Sequence, residues 1–175
     1  MGWTNEQIIT ATKGQTIATL FRDAVTGHGD QVAFRWQVGD DWQEMTYAQY
    51  GDAATRLATA LAGLGIGPGD RVALMLRNRP EFHVADVAVV LVGATPISIY
   101  NSSSPDQIAY LMGHSGVVAA IVEDEKYLAG VLSVRAELPK LREVAVVDPP
   151  PTGLPAGFDR TGAKAGPSGV SRTPP

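Results

Sequence analysis

The fold is decided by residues 72–99, which read VALMLRNRPEFHVADVAVVLVGATPISI. An apolar run of strand length comes first, and Pro80 then opens a longer apolar segment. Proline is favoured at the first position of a helix, where its missing N–H would have no partner. The stretch therefore predicts a strand over Val72–Leu76, a helix from Pro80 to about Val92, and a strand over Thr95–Ile99.

The same alternation continues downstream. Ser104 and Gln107 have capping-box spacing around Pro105, which predicts the start of another helix. The further predicted elements are a helix over Pro105–Met112, a strand over Val117–Val122, a helix over Asp124–Arg135 and a strand over Val144–Val147. Continuously apolar strands that alternate with helices are typical of parallel sheets. We predict an α/β fold, a parallel-sheet layered sandwich built from strand–helix units.

Upstream of this sheet, the sequence predicts a helix–hairpin–helix lead-in. Thr16 is a candidate N-cap for a first helix, which Gly27 would end. Alternating apolar residues from Val32 to Val38, a Gly-Asp-Asp turn and Trp42 to Met45 predict a β-hairpin. Thr46 and Gln49 have capping-box spacing ahead of an alanine- and leucine-rich helix, with Gly65 as its C-terminal cap.

Composition excludes several classes of function. The chain has 175 residues, 45% of them apolar, with no cysteine and a net charge of −4. Disulfide frameworks, thiolate nucleophiles and cysteine zinc sites are therefore excluded. The acidic balance offers no basic face for nucleic acid. No secretory signal is recognisable, and the longest apolar run, Val84–Tyr100, is interrupted, so we expect no transmembrane segment and a cytoplasmic location.

The composition changes near residue 149. Residues 150–175 contain 6 prolines and 5 glycines, and their charged residues give them a net charge of +2, which leaves −6 on residues 1–149. Such a segment has too little apolar surface to offset its backbone entropy. We therefore expect an N-terminal α/β domain over 1–149 and a disordered Pro/Gly-rich tail over 150–175.

Several patterns resemble catalytic motifs, but their context favours structural roles. The glycines of 65–69 follow a helix and precede a strand, the reverse of a phosphate loop, so they predict a helix stop and a tight turn. Residues 113–116 lack the spacing of a nucleophile elbow. The three histidines form no metal-binding pair, and the acidic residues at 123–125 suggest a helix start. We predict no catalytic, cofactor-binding or metal-binding residue.

Two loops nevertheless have a position that favours ligand binding. Residues 77–81 and 100–104 each join the end of a predicted strand to the start of a helix. In open α/β sheets, ligands bind at this carboxyl edge. Helix capping is the alternative explanation for both loops, and we favour it.

The ordered motifs Gly67-Pro68-Gly69-Asp70-Arg71-Val72, Asn78-Arg79-Pro80-Glu81 and Gly93-Ala94-Thr95-Pro96 resemble the N-terminal part of the AMP-forming adenylating enzymes. Residues 99–111 and 114–115 are similar to long-chain fatty-acyl-CoA synthetases in particular. The resemblance covers about residues 15–149. It implies a two-step reaction in which a fatty acid and ATP with Mg²⁺ give an acyl-adenylate, which CoA then converts to a thioester.

The resemblance also implies that the residues that carry out the chemistry lie outside the segment matched here. In that family the phosphate loop, the nucleotide contacts and the catalytic lysine follow the segment matched here. Residues 161–170 have a similar composition, but Ser168 stands where the loop would carry lysine. We therefore carry over no site residue and expect no bound cofactor, although the family uses ATP, Mg²⁺ and CoA.

Two hypotheses remain from the sequence. The first is a truncated or split fatty-acid-CoA ligase, inactive alone, whose partner would be the rest of the enzyme as a separate chain. The alternative is a non-enzymatic α/β binding or interaction module. Either version could self-associate, because this subdomain would expose an apolar face when isolated.

Overall fold

A computed structural model describes Gly2 and residues 4–148, and the predicted tail at 150–175 lies outside the described residues. The helices are α1 (Asn5–Thr12), α2 (Ile17–His28), α3 (Tyr47–Gly63), α4 (Pro80–Leu91), α5 (Pro105–Ser115) and α6 (Glu125–Ser133). The strands are β1 (Val32–Val38), β2 (Asp41–Thr46), β3 (Arg71–Met75), β4 (Thr95–Ser98), β5 (Ala119–Val122) and β6 (Glu143–Val146). A 3₁₀ turn over Arg135–Glu137 follows α6.

Four of these strands form a parallel sheet in the order β4-β3-β5-β6. Leu74 of β3 pairs with Ser98 of β4 on one side and with Ile121 of β5 on the other. Ile121 in turn lies beside Ala145 of β6. β3 and β5 occupy the centre, which explains their continuous apolar sequence, since both faces of a central parallel strand are covered. The predicted α/β layered sandwich is confirmed.

Helices cover both faces of the sheet and form two apolar clusters. On one face, α5 and α6 contribute residues such as Met112 and Leu128, each 1% exposed. On the other, α3 and α4 contribute Leu61 and Val89, which pack with Leu74 of β3. The sheet is the layer between these two helix pairs, as the apolar periodicity of the sequence indicates.

The hairpin of β1 and β2 packs on the helices through a third, aromatic cluster. The ring of Tyr50 in α3 contacts Phe21 and Phe34 edge-on, with centroids 4.8 and 4.7 Å away. Its hydroxyl donates to the carbonyl of His83 at 2.9 Å. Gly51 lets α2 approach, because a Cβ at this position would lie 2.8 Å from a methyl carbon of Val25. The predicted helix–hairpin–helix lead-in is confirmed.

Several boundaries differ from the prediction; α5, for example, runs to Ser115 instead of ending at Met112. α2 continues through Gly27 to His28, because Gly29 is the C-cap. A short helix, α1, precedes the lead-in; a Thr4–Gln7 capping box begins it, and it has no buried residue. The strand predicted from Val117 begins at Ala119, because Val117 donates its N–H to Met112 at the end of α5.

The described residues contain no helix that is both long and apolar enough to cross a bilayer.

Candidate functional site

The glycine-rich turn lies at the amino edge of the sheet, between α3 and β3. Gly65 and Gly69 have φ values of +74° and +85°, which glycine adopts without strain. The carboxylate of Asp70 accepts a hydrogen bond from the Gly67 N–H at 3.1 Å. The prediction of a helix stop and a tight turn is confirmed.

The opposite, carboxyl edge carries a buried carboxylate. Glu123 follows β5 and is 1% exposed. Its Oε2 accepts the backbone N–H of Arg77 at 2.6 Å, and its Oε1 accepts the Arg77 Nε at 2.7 Å. Arg77 follows β3, so this contact joins the ends of the two central strands. A charge removed from water needs such complete pairing to be tolerated.

Arg79 extends the same cluster to the edge strand β6. Its Nη1 lies 3.3 Å from Oε1 of Glu123 and also forms an ion pair with Asp148, just beyond β6. Its Nε donates to Glu81 at 2.7 Å in the first turn of α4. The backbone N–H of Asp148 donates to the carbonyl of Glu123 at 2.7 Å. Arg79 and Glu123 therefore hold the chain along the carboxyl edge where it leaves β6.

The pairing sets the protonation of these groups. Burial acts to raise the pKa of Glu123, but the hydrogen bonds from Arg77 and the charges of Arg77 and Arg79 outweigh it and lower the pKa below the ordinary value. The hydrogen bond from Arg79 lowers the pKa of Glu81 in the same way. The carboxylates of Glu123 and Glu81 are therefore ionised at neutral pH.

This cluster does not fit a triphosphate or a metal ion. Its two arginines face the carboxylates of Glu81, Glu123 and Asp148, with Asp124 at 3.9 Å from Arg77. The negative charges outnumber the positive ones, so the cations are already neutralised. Within residues 4–148, no three histidine, aspartate or glutamate side chains are grouped to hold a metal ion. We therefore assign neither ATP nor Mg²⁺ to this cluster.

The second candidate loop, 100–104, is partly a helix cap and partly the wall of a cleft. Ser104 accepts the N–H of Gln107, as the capping-box prediction requires. Tyr100 and Tyr110 are 82% and 67% exposed and line an open groove of about 600 Å³. A smaller cleft of about 360 Å³ adjoins it at Tyr100 and Ser102. Helix capping thus explains Ser104 but not the exposed tyrosines.

Sequence reasoning missed the role of Glu123 and Arg79. The acidic run at 123–125 suggested a helix start, and this holds for Asp124, whose carboxylate caps α6. It is wrong for Glu123, which is buried against Arg77. Arg79 occupies the N-cap position of α4, but its side chain makes no capping hydrogen bond. An acidic residue directly after a fully apolar strand was the available signal, because burial there demands a cationic partner.

Comparison with known proteins shows which family and which proteins the chain is similar to. The sequence model of the family described as "AMP-binding enzyme" matches residues 21–173. Triostin synthetase I of Streptomyces triostinicus is 38% identical over 133 residues, covering 76% of this chain and 24% of that protein. The human long-chain-fatty-acid–CoA ligase ACSBG1 is 29% identical over 136 residues, covering 78% of this chain and 19% of the ligase.

A shorter relative and a solved structure complete the comparison. The uncharacterized protein Rv1549 of Mycobacterium tuberculosis is 34% identical over 145 residues, covering 83% of this chain and 79% of that protein. The N-terminal domain of FACL13 from the same organism superposes with a TM-score of 0.69 at 26% identity, over 77% of this chain and 34% of that one. The chain thus spans about a quarter or less of the large relatives and most of the short one.

Proposed function

Because the chain belongs to the AMP-binding enzyme family, we propose that it forms the N-terminal α/β part of a fatty-acid-CoA ligase. Such an enzyme couples ATP and a fatty acid to an acyl-adenylate and passes the acyl group to CoA. The observation that carries the proposal is the shared fold, because 77% of this chain superposes on the N-terminal domain of FACL13 with a TM-score of 0.69.

The 175-residue chain by itself does not carry out the adenylation step. Acyl adenylation needs cations and N–H donors around the phosphates to stabilise the charge that develops there. The arginines at the carboxyl edge cannot supply this charge, because Glu123, Glu81 and Asp148 already pair with them. The role of the described residues is to support a site that further parts of the enzyme complete, in the same polypeptide or as a separate chain.

The carboxyl edge is the surface on which that completion takes place. It carries the Arg77–Glu123 cluster at its centre and the groove of Tyr100 and Tyr110 at the β4 side. Ligands of open α/β sheets bind at this edge. The ion pairs of Glu123 and Arg79 fix the ends of β3, β5 and β6 relative to one another, which gives the rest of the ligase a rigid face to pack against.

Two measurements on purified protein test this proposal. Isothermal titration of the 175-residue chain with ATP is expected to give no binding heat, and a long-chain fatty acid with ATP and CoA is expected to release no AMP. Addition of a polypeptide carrying the remaining domains of a fatty-acid-CoA ligase is expected to produce fatty-acid-dependent AMP release. AMP release by the chain alone would overturn the incomplete-site part of the proposal. If the added polypeptide produces no AMP release, the proposed complementation is wrong.

A non-enzymatic interaction module is the second candidate, and one observation favours it. Among residues 4–148, all the exposed large apolar residues except two tyrosines lie in α1, α2 and the hairpin: Ile8, Ile9, Ile17, Leu20, Val32, Val38 and Trp42. Exposed apolar side chains of this kind would favour association if they form one continuous patch. A discrete, stable oligomer in light scattering, with no response to the ligase polypeptide, would favour this candidate over the ligase part.

A further inference from the structure

Helix α2 carries an apolar flank that the rest of the described chain leaves uncovered. Its buried face packs on α3, where Val25 lies against Gly51. On the flank beside that face, Ile17 and Leu20 are 63% and 48% exposed. Residues three positions apart are neighbours on a helix surface, so these two side chains form one apolar stripe. We call it the Ile17–Leu20 stripe.

Two exposed charges of opposite sign border this stripe. Lys13 precedes the first turn of α2, and Asp23 follows Leu20 by three positions. Within residues 4–148, neither side chain forms an ion pair. One end of the stripe is therefore positive and the other end is negative.

Helix α1 gives an independent reason to expect a partner in this region. Its eight residues bury no side chain, and Ile8 and Ile9 are 47% and 68% exposed. A helix of this length is marginal in water unless its apolar side chains pack against another surface. Only residues 13–16 separate α1 from α2, so a partner that covers the Ile17–Leu20 stripe is also close to α1 in the chain.

We propose that the Ile17–Leu20 stripe packs against the same stripe of a second copy of this chain, with the two α2 helices antiparallel about a two-fold axis. In such a contact, Leu20 of each copy lies beside Ile17 of the other, which makes the interface self-complementary. The apolar side chains of both copies leave water together, which favours association.

Charge selects the antiparallel arrangement. With Leu20 beside Ile17 of the second copy, Asp23 lies about 4.5 Å beyond that isoleucine along the helix axis. This is the end at which Lys13 of the second copy precedes its helix, and the two-fold axis repeats the pairing. A parallel arrangement in register would instead bring Asp23 beside Asp23 and Lys13 beside Lys13, which is repulsive.

The contact goes beyond the ligase proposal, because it uses no residue of the carboxyl edge. A few apolar side chains from each copy make a small interface, and small interfaces are weak. The dimer is therefore expected to dissociate on dilution.

Sedimentation velocity over a dilution series tests the contact on the full chain. The wild type is expected to shift from monomer to dimer as the concentration rises. Leu20→Asp is expected to remove the dimer at every concentration, because it places a charge in the centre of the contact. The matched control is Val38→Asp on the hairpin, where Val38 is 58% exposed, and it is expected to retain the dimer.

A charge exchange identifies the partner residues. Lys13→Glu and Asp23→Lys are each expected to raise the dissociation constant of the dimer by about tenfold, because each replaces two attractive pairs by repulsive ones. An equimolar mixture of the two variants is expected to regain association near the wild-type level, since a mixed dimer has opposite charges at both ends. Circular dichroism should show the same fold for each variant.

Three results would overturn the proposal. The first is a wild-type chain that stays monomeric over the whole dilution series, and the second is a dimer that persists in Leu20→Asp. The third is a mixture of Lys13→Glu and Asp23→Lys that associates no better than either variant alone. None of these readouts depends on ligase activity, so the ligase proposal and this one can fail separately.

Discussion

The carboxylate of Glu123 accepts both the backbone N–H and the guanidinium Nε of Arg77, a residue 46 positions earlier in the chain. This relationship joins the ends of the two central strands and places a buried charge at the edge where open α/β sheets bind ligands. It makes the carboxyl edge a rigid surface on which both arginines are already paired, instead of a set of separate loops.

Glu123→Gln is expected to lower the free energy of unfolding by about 1–3 kcal/mol, because a neutral amide cannot keep all the charge-assisted hydrogen bonds that the buried carboxylate accepts from Arg77. Chemical denaturation followed by circular dichroism measures the change. Glu125→Gln is the matched control, since Glu125 is exposed in the first turn of α6, and it should change stability by less than about 0.5 kcal/mol. Equal effects of the two variants would argue against the central role of Glu123.

The contribution of Glu123 is expected to depend on pH. Its pKa is lower in the folded protein than in the unfolded chain, so the folded state holds the proton less tightly. The stabilisation is therefore present above the ordinary glutamate pKa and is lost as the pH falls through the lowered value. Urea unfolding of the wild type and of Glu123→Gln, compared across this range, should show a stability difference that shrinks in acid. A difference that grows as the pH falls would be incompatible with this sign.

Asp86 is expected to show the opposite behaviour. Burial raises its pKa above the ordinary value, with a smaller opposing effect from His83. A raised pKa means that the folded state favours the protonated carboxyl, so ionisation destabilises the fold as the pH rises. Asp86→Asn should therefore raise the unfolding midpoint at neutral pH and leave it nearly unchanged in acid. A fall in the neutral-pH midpoint would show that the charged form makes favourable contacts.

Core packing around β3 is expected to dominate stability. Leu74 is 0% exposed and lies in the cluster between the sheet, α3 and α4. Leu74→Ala removes apolar contacts and leaves a cavity, which should cost about 2–5 kcal/mol. Leu20→Ala is the matched control, because Leu20 is 48% exposed, and its loss should be much smaller. Denaturant midpoints of the two variants measure the difference, and a small loss for Leu74→Ala would mean that this core is loosely packed.

The local signals of the sequence predicted most of the secondary structure. Capping boxes at Thr46–Gln49 and Ser104–Gln107 start α3 and α5 as expected, because a cap involves residues only three positions apart. Pro80 likewise begins α4. α1 carries its own capping box at Thr4–Gln7, but it lacks the apolar periodicity that draws attention to a helix, because it buries no residue.

The site could be predicted only in part. Its place at the carboxyl edge follows from the alternation of strands and helices, which is a local pattern. The pairing of Glu123 with Arg77 depends on β5 lying next to β3, although β4 comes between them in the sequence. The Asp148–Arg79 contact depends on the same strand order. Such contacts depend on how the strands pack in three dimensions. The spacing of residues along the chain does not reveal that arrangement.

The most direct test of the account replaces the corresponding N-terminal segment of FACL13 with residues 15–148 of this chain and measures fatty-acid-dependent AMP formation. If these residues form the N-terminal part of a fatty-acid-CoA ligase, the purified chimera should form AMP only when a long-chain fatty acid is present. The matched FACL13 chain without that segment should form none. A chimera that folds, as judged by cooperative unfolding, and yet forms no AMP above the level of the deleted chain would contradict the account.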